Sequence, residues 1–181
     1  MNNLEEMVLI NKLYEASEAG VKVQMIVRSI CCLAPGVAWQ SENISVIRIV
    51  DRYLEHGRIF IFKNAGEEKI FMGSADWMNR NVYRRIEVCC PVYDPAIKNQ
   101  MLEIIQLQLN DNVQAVEINT ELNNRPVQNN GVPVQSQNGV YALLAKTINS
   151  KDVNTQCSPG HDLISNAADE GDWYHSEISL Q

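Results

Sequence analysis

The chain has 181 residues, is 45% hydrophobic and 20% charged, and carries a formal net charge of −7. That suits one soluble domain with a tail, long enough to bury a sizeable core. The acidic balance argues against a nucleic-acid binder by overall charge, so any polyanion would need a local basic pocket. The acid is concentrated late: beyond residue 118 the only basic side chains are Arg125, Lys146 and Lys151, set against Glu121, Asp152, Asp162, Asp169, Glu170, Asp172 and Glu177.

The five cysteines form two adjacent pairs, Cys31–Cys32 and Cys89–Cys90, plus Cys157. An odd count without CxxC spacing is a poor disulfide framework and a poor zinc site, so they are expected as reduced, buried thiols in a cytoplasmic protein. No signal peptide, transit peptide or apolar run of membrane-spanning length is expected.

Residues 4–19 read as an amphipathic helix. Leu9, Ile10, Leu13, Tyr14 and Ala16 share one face, and Gly20 sits where a helix stops. Val21–Val27 is a short apolar strand ending at Arg28. In open α/β sheets ligand groups collect at such carboxyl ends, so Arg28 is a candidate oxyanion clamp, against the blander alternative of a surface ion pair. Residues 33–43 form a loop, and Ile44–Val50 a strand. Asp51–Glu55 is expected as one helical turn.

The stretch Leu54 to Asn81 then reads as a hairpin with His56 at its mouth. Ile59–Phe62 and Ile70–Met72 are its buried strands, joined by a turn over Asn64–Glu68. Gly73-Ser74-Ala75-Asp76-Trp77 and Asn79-Arg80-Asn81 follow at once. A histidine beside a Gly-Ser turn, amides and a guanidinium is a plausible site for phosphate, with Asp76 orienting the imidazole. The alternative is structural: His56 caps a turn, and Asp76 pairs with Arg80 on the surface.

Arg84–Val92 is predicted as a further buried strand stopped by Pro91, with Arg84 and Arg85 either both in solvent or, the favoured reading because strand side chains alternate, one inward as a ligand group and one outward. Asp94-Pro95 opens the clearest helix, with Asp as N-cap, Pro at N1, and Ile97, Met101, Ile104 and Ile105 as its core stripe. Val113–Ile118 is predicted as the last strand. Three regions follow: a folded domain over 1–118, an extended segment with a short docked helix at Val140–Ile148 over 119–148, and a polar, acidic, disordered tail over 149–181. His161 and His175 lie in that tail and receive no role. There is no P-loop, GxGxxG, HExxH or GxSxG.

The segments IVRSICCLAPGV, SENISVIRIVDRYLEHGRIFIFKN, GSADWMNRN and RRIEVCCPVYDP together resemble the C-terminal domain of the long bacterial polyphosphate kinase. The likeness covers roughly residues 1–145. Ser29, Phe60, Ala65 and Gly73 depart from it, standing where the family is expected to have Gly, Tyr, Gly and Ser. The resemblance implies an α/β, phospholipase-D-like mixed sheet flanked by helices. It also implies reversible transfer of the terminal phosphate of ATP onto polyphosphate, through a phosphohistidine in a preceding domain. It implies Mg2+ for the whole enzyme with its ligands upstream, ATP, ADP and polyphosphate as partners, and homo-oligomers. Carried over by motif, Arg28 contacts nucleotide phosphate and His56 is an active-site histidine at the nucleotide. Asn64, Ser74, Asp76, Arg80 and Asn81 are supporting positions. Two other readings stand beside this one. A phospholipase-D-type phosphodiesterase would need a His-x-Lys pair, and here Arg58 stands two residues after His56. A non-catalytic nucleotide- or polyphosphate-binding or oligomerisation module needs no such pair.

Overall fold

The structure, a computed structural model, describes residues 1–127 and 131–152, the last six of these as helix backbone only. The expected tail lies outside the described residues from 153 onward. Helix α1 spans Met7–Glu18 and presents the predicted face, with Ile10 buried and Leu9, Leu13, Tyr14 and Ala16 half-buried. It begins three residues later than expected because Glu6 takes the N-cap, its carboxylate accepting from the Leu9 N–H at 2.8 Å. Gly20 follows with φ 84°, a left-handed turn that a glycine adopts without Cβ strain.

Strand β1 (Val23–Ile26) runs parallel to β2 (Ile44–Ile49). Helix α1, the loop and these strands enclose the main core: Leu4, Ile10, Met25, Val27, Leu33, Ile44, Val46 and Ile118. Full burial of such side chains stabilises by roughly 1.5–3 kcal/mol each. Ahead of α1, the chain is itself strand-like. The Leu4 N–H donates to the Ile30 carbonyl at 2.8 Å, and the Leu4 carbonyl accepts from Cys32 at 2.9 Å. On its other side Trp77 N–H donates to the Asn3 carbonyl, and Glu5 N–H to that of Trp77. This short segment bridges the loop after β1 to the chain at Trp77.

The second sheet is an antiparallel meander of β3 (Ile59–Phe62), β4 (Lys69–Gly73) and β5 (Cys89–Val92). Its hairpin strands are less buried than expected, with Ile70 alone fully enclosed. After β4 the chain makes helix α2 (Asn79–Arg84), so the predicted strand from Arg84 is shortened to Cys89–Val92. Arg84 and Arg85 are both exposed, at the end and C-cap of α2, which corrects the expected inward–outward pair.

Pro91 sits inside β5 rather than ending it. Ser74 N–H donates to the Val88 carbonyl, which makes Phe71 and Pro91 a pair without mutual ladder bonds. The proline's missing N–H therefore falls on the free rim of an edge strand, where none is needed. Cys89 and Cys90 in β5 are exposed, as is Cys32 after β1, while Cys31 is half-buried; all four thiols are free, and the expectation of buried cysteines fails for them. Cys157 lies outside the described residues.

Helix α3 (Pro95–Leu109) starts as predicted, with Asp94 accepting from the Ala96 and Ile97 N–H groups at 2.8 and 3.0 Å. Met101 is buried, but Ile97 at the helix start is half exposed and outside the core. Strand β6 (Ala115–Ile118) is not the last: β7 (Asn124–Pro126) folds back on it, completing the sheet order β1-β2-β6-β7. The Asn119 side chain builds that turn by accepting from the Glu121 and Asn123 N–H groups.

Helix α4 (Ser136–Asp152) exceeds the predicted Val140–Ile148 at both ends. Its start is fixed from elsewhere in the chain. Asp111, fully buried, accepts from Ser136 N–H at 2.7 Å and also from Val113, Gln114 and Ala115. No helical turn forms over Asp51–Glu55. The Tyr53 N–H and carbonyl are both engaged by the Gln137 side chain, at 2.9 and 2.8 Å, and so are withdrawn from any local helical bond.

Candidate functional site

A cleft of about 460 Å³ opens between β1 and β3. Its body is apolar, made by the two strands, Leu13, Trp77 and Ile104, Ile105 and Leu109 of α3. Phe60 stacks on Trp77 with ring centroids 5.5 Å apart, which stiffens one wall. Polar groups collect at its mouth, where β1 ends and β3 begins. Arg28 and His56 both line this cleft.

A continuous hydrogen-bonded path joins them. Arg28 Nη1 lies 3.4 Å from Asn2 Oδ1. The Asn2 N–H donates to Asp76 Oδ1 at 2.9 Å, and Asn3 Nδ2 donates to Asp76 Oδ2 at 3.2 Å. Arg58 closes on the same carboxylate in fork geometry, Nε to Oδ1 and Nη2 to Oδ2, each 3.0 Å. Arg58 then turns back on the histidine: Nη1 donates to the His56 carbonyl at 2.7 Å, and Nη2 lies 3.0 Å from His56 Nε2. Asp76 is buried and the Arg58 side chain nearly so, at 12% exposure, whereas His56 is exposed and Arg28 half-buried.

Burial works against the Asp76 charge, but hydrogen bonds from Arg58, Asn2 and Asn3 and the Arg58 charge outweigh it. Its carboxyl is held below the usual range and stays ionised. Asp76 therefore reaches His56 only through Arg58, and the surface pair with Arg80 does not form. Arg58 is the residue the sequence reading missed. Its signal is spacing, since residues two apart in an extended segment share a face.

The remaining candidates do not converge on this mouth. Ser74 and the buried Asn81 hold Glu87, which accepts from the Ser74 hydroxyl and from Asn81 Nδ2 at 2.6 Å. Those two bonds keep the Glu87 carboxyl below its usual range. Together these residues fix the α2–β5 connection. Arg80 is exposed on α2. Asn64 occupies the β3–β4 turn, at the hairpin end opposite His56, with a left-handed φ of 44°.

Two sheets flanked by helices give the chain a mixed α/β fold, and its likeness to a solved polyphosphate kinase places that fold in the phospholipase-D-like class. The family model described as polyphosphate kinase C-terminal domain 2 matches residues 1–137, and the chain belongs to that family. Polyphosphate kinase from Klebsiella pneumoniae is 48% identical over 145 residues, 80% of this chain and 21% of the relative. That from Halalkalibacterium halodurans is 46% identical over 153 residues, 83% of this chain and 22% of the relative. The crystal structure of polyphosphate kinase from Porphyromonas gingivalis matches with a TM-score of 0.80 at 47% identity, covering 83% of this chain and 23% of that one. The chain thus spans about a fifth of the length of its curated relatives.

Proposed function

We propose that this domain forms the nucleotide side of a polyphosphate kinase active site, in an enzyme that moves the terminal phosphate of ATP reversibly onto polyphosphate. The observation that carries the reading is the shared cleft mouth of Arg28 and His56. Phosphoryl transfer needs alignment and charge neutralisation more than covalent help from each residue. Arg58 is neutralised by Asp76, which leaves Arg28 to grip a non-bridging phosphate oxygen. His56 donates to the phosphate oxygens as the leaving group forms. The phosphohistidine intermediate belongs to a domain upstream of these residues. Asp76 supports the site through Arg58, and Ser74 and Asn81 act only on the α2–β5 connection.

Among the described residues no group of three or more His, Cys, Asp or Glu is placed to hold a metal ion. No described helix is long and apolar enough to cross a membrane. The phosphodiesterase alternative loses its footing at Arg58, which occupies the position of the required lysine and is committed to Asp76.

The test is His56→Ala in a full-length polyphosphate kinase carrying this domain. Loss of a positioned general acid typically lowers rate by about 10²–10⁴-fold. The expected result is such a loss in both directions of transfer with the melting temperature unchanged. Wild-type turnover would remove His56 from the mechanism.

A further inference from the structure

We propose that Arg58 is a positioning residue that locks His56 in the tautomer carrying its proton on Nδ1, so that the cleft mouth presents a fixed N–H donor. The inference starts from what a guanidinium can do. It has five N–H donors and no acceptor. Arg58 Nη2 lies 3.0 Å from His56 Nε2, so that ring nitrogen must accept, and the neutral imidazole's single proton sits on Nδ1. A proton on Nε2 would set donor against donor.

The guanidinium is not free to turn away from this arrangement. Its Nε and Nη2 are held by the two oxygens of Asp76, and its Nη1 by the His56 carbonyl. Asp76 is anchored in turn by the Asn2 N–H and by Asn3 Nδ2, and the Asn3 carbonyl oxygen of the side chain accepts from Ile30 N–H at 3.1 Å. The donor set on Nε2 is therefore fixed by buried groups although the imidazole itself is exposed. One further consequence is a division of labour between the two arginines of the mouth. Arg58 has its charge matched and its donors directed at protein groups. Arg28 has one 3.4 Å contact with an amide oxygen. That the Nδ1–H meets a phosphate oxygen rests on the phosphoryl-transfer reading above; the tautomer itself does not.

The experiment is a two-bond 15N–1H correlation spectrum of the uniformly 15N-labelled 181-residue chain at pH 8.5, where the bare and protonated ring nitrogens separate by shift and by coupling pattern. The His56 signals are assigned by their loss in His56→Gln. In the wild-type chain the expected spectrum has Nδ1 protonated and Nε2 bare. In Arg58→Gln the ratio is expected to invert toward the Nε2–H form. Arg58→Lys tests the same point with the charge retained, because one ammonium cannot bond both Asp76 oxygens, the His56 carbonyl and Nε2 together; it too should invert the ratio. A wild-type His56 that is mainly Nε2–H overturns the proposal without reference to any variant. So does an unchanged Nδ1–H form in either Arg58 variant. Neither result depends on ATP binding or turnover, so this proposal and the functional reading fail separately.

Discussion

Asp76→Asn isolates the charge at the centre of the cleft mouth while nearly conserving volume. Each Asp76 oxygen accepts two hydrogen bonds: Oδ1 from Asn2 N–H and Arg58 Nε, Oδ2 from Asn3 Nδ2 and Arg58 Nη2. Whichever way the asparagine amide is turned, its NH2 faces two donors. Removing one partner of a buried ion pair costs about 3–5 kcal/mol. The Arg58 side chain keeps a little solvent access and its bonds to His56, which places the expected loss near the lower end, about 3 kcal/mol. For a chain of this size that corresponds to a melting temperature lower by roughly 6–12 °C. The assay is urea and thermal unfolding of both chains across a pH series. Because the folded Asp76 carboxyl is held below its usual range, its contribution is complete above the unfolded value of about 4. It is lost as pH falls through the folded value. The variant has no such titration, so the two stability curves should converge in acid. A difference under about 1 kcal/mol at pH 7, or one undiminished at the lowest pH where both chains fold, would refute the assignment of Asp76 as the charged anchor.

Arg28→Ala should abolish measurable binding of ATP or polyphosphate in equilibrium titration while leaving the melting temperature within a degree or two, since Arg28 makes one long contact with Asn2. Asp111→Ala removes the acceptor of the part-buried N–H groups of Val113 and Gln114 and strands the buried ones of Ala115 and Ser136. It should cost roughly 2–4 kcal/mol and accelerate hydrogen exchange in the first turn of α4 before the rest of the domain. Ala65 holds φ 53° and ψ 32° in the β3–β4 turn. Relief of the left-handed penalty outweighs the entropy of a glycine, so Ala65→Gly should stabilise by about 0.5–1 kcal/mol in denaturant unfolding.

Where local rules governed, the chain was legible. The face of α1, the Asp94-Pro95 start of α3, strands β1 and β2 and the β3–β4 hairpin follow from periodicity, capping and turn composition. Where a partner distant in sequence decided the outcome, the reading failed. Gln137 removed the expected turn at Tyr53, Asp111 lengthened α4, and the edge position of β5 let Pro91 stay inside a strand. The site divides the same way. Arg28 and His56 were found at strand ends, a position that topology makes visible. The path between them was hidden because Asp76 meets Asn2 and Asn3 across more than seventy residues of chain. No periodicity links such positions, and Arg58 looked like a mere deviation from a His-x-Lys pattern.

The proline within β5 bears on how this domain behaves when crowded. A foreign strand laid along that rim would find the rung at Pro91 missing, with no hydrogen to give at the middle of a four-residue ladder. Sheet-to-sheet growth from this side is therefore interrupted at its centre. The exposed apolar character of Val88 and Tyr93 can then be carried at the surface without inviting fibrils from that rim.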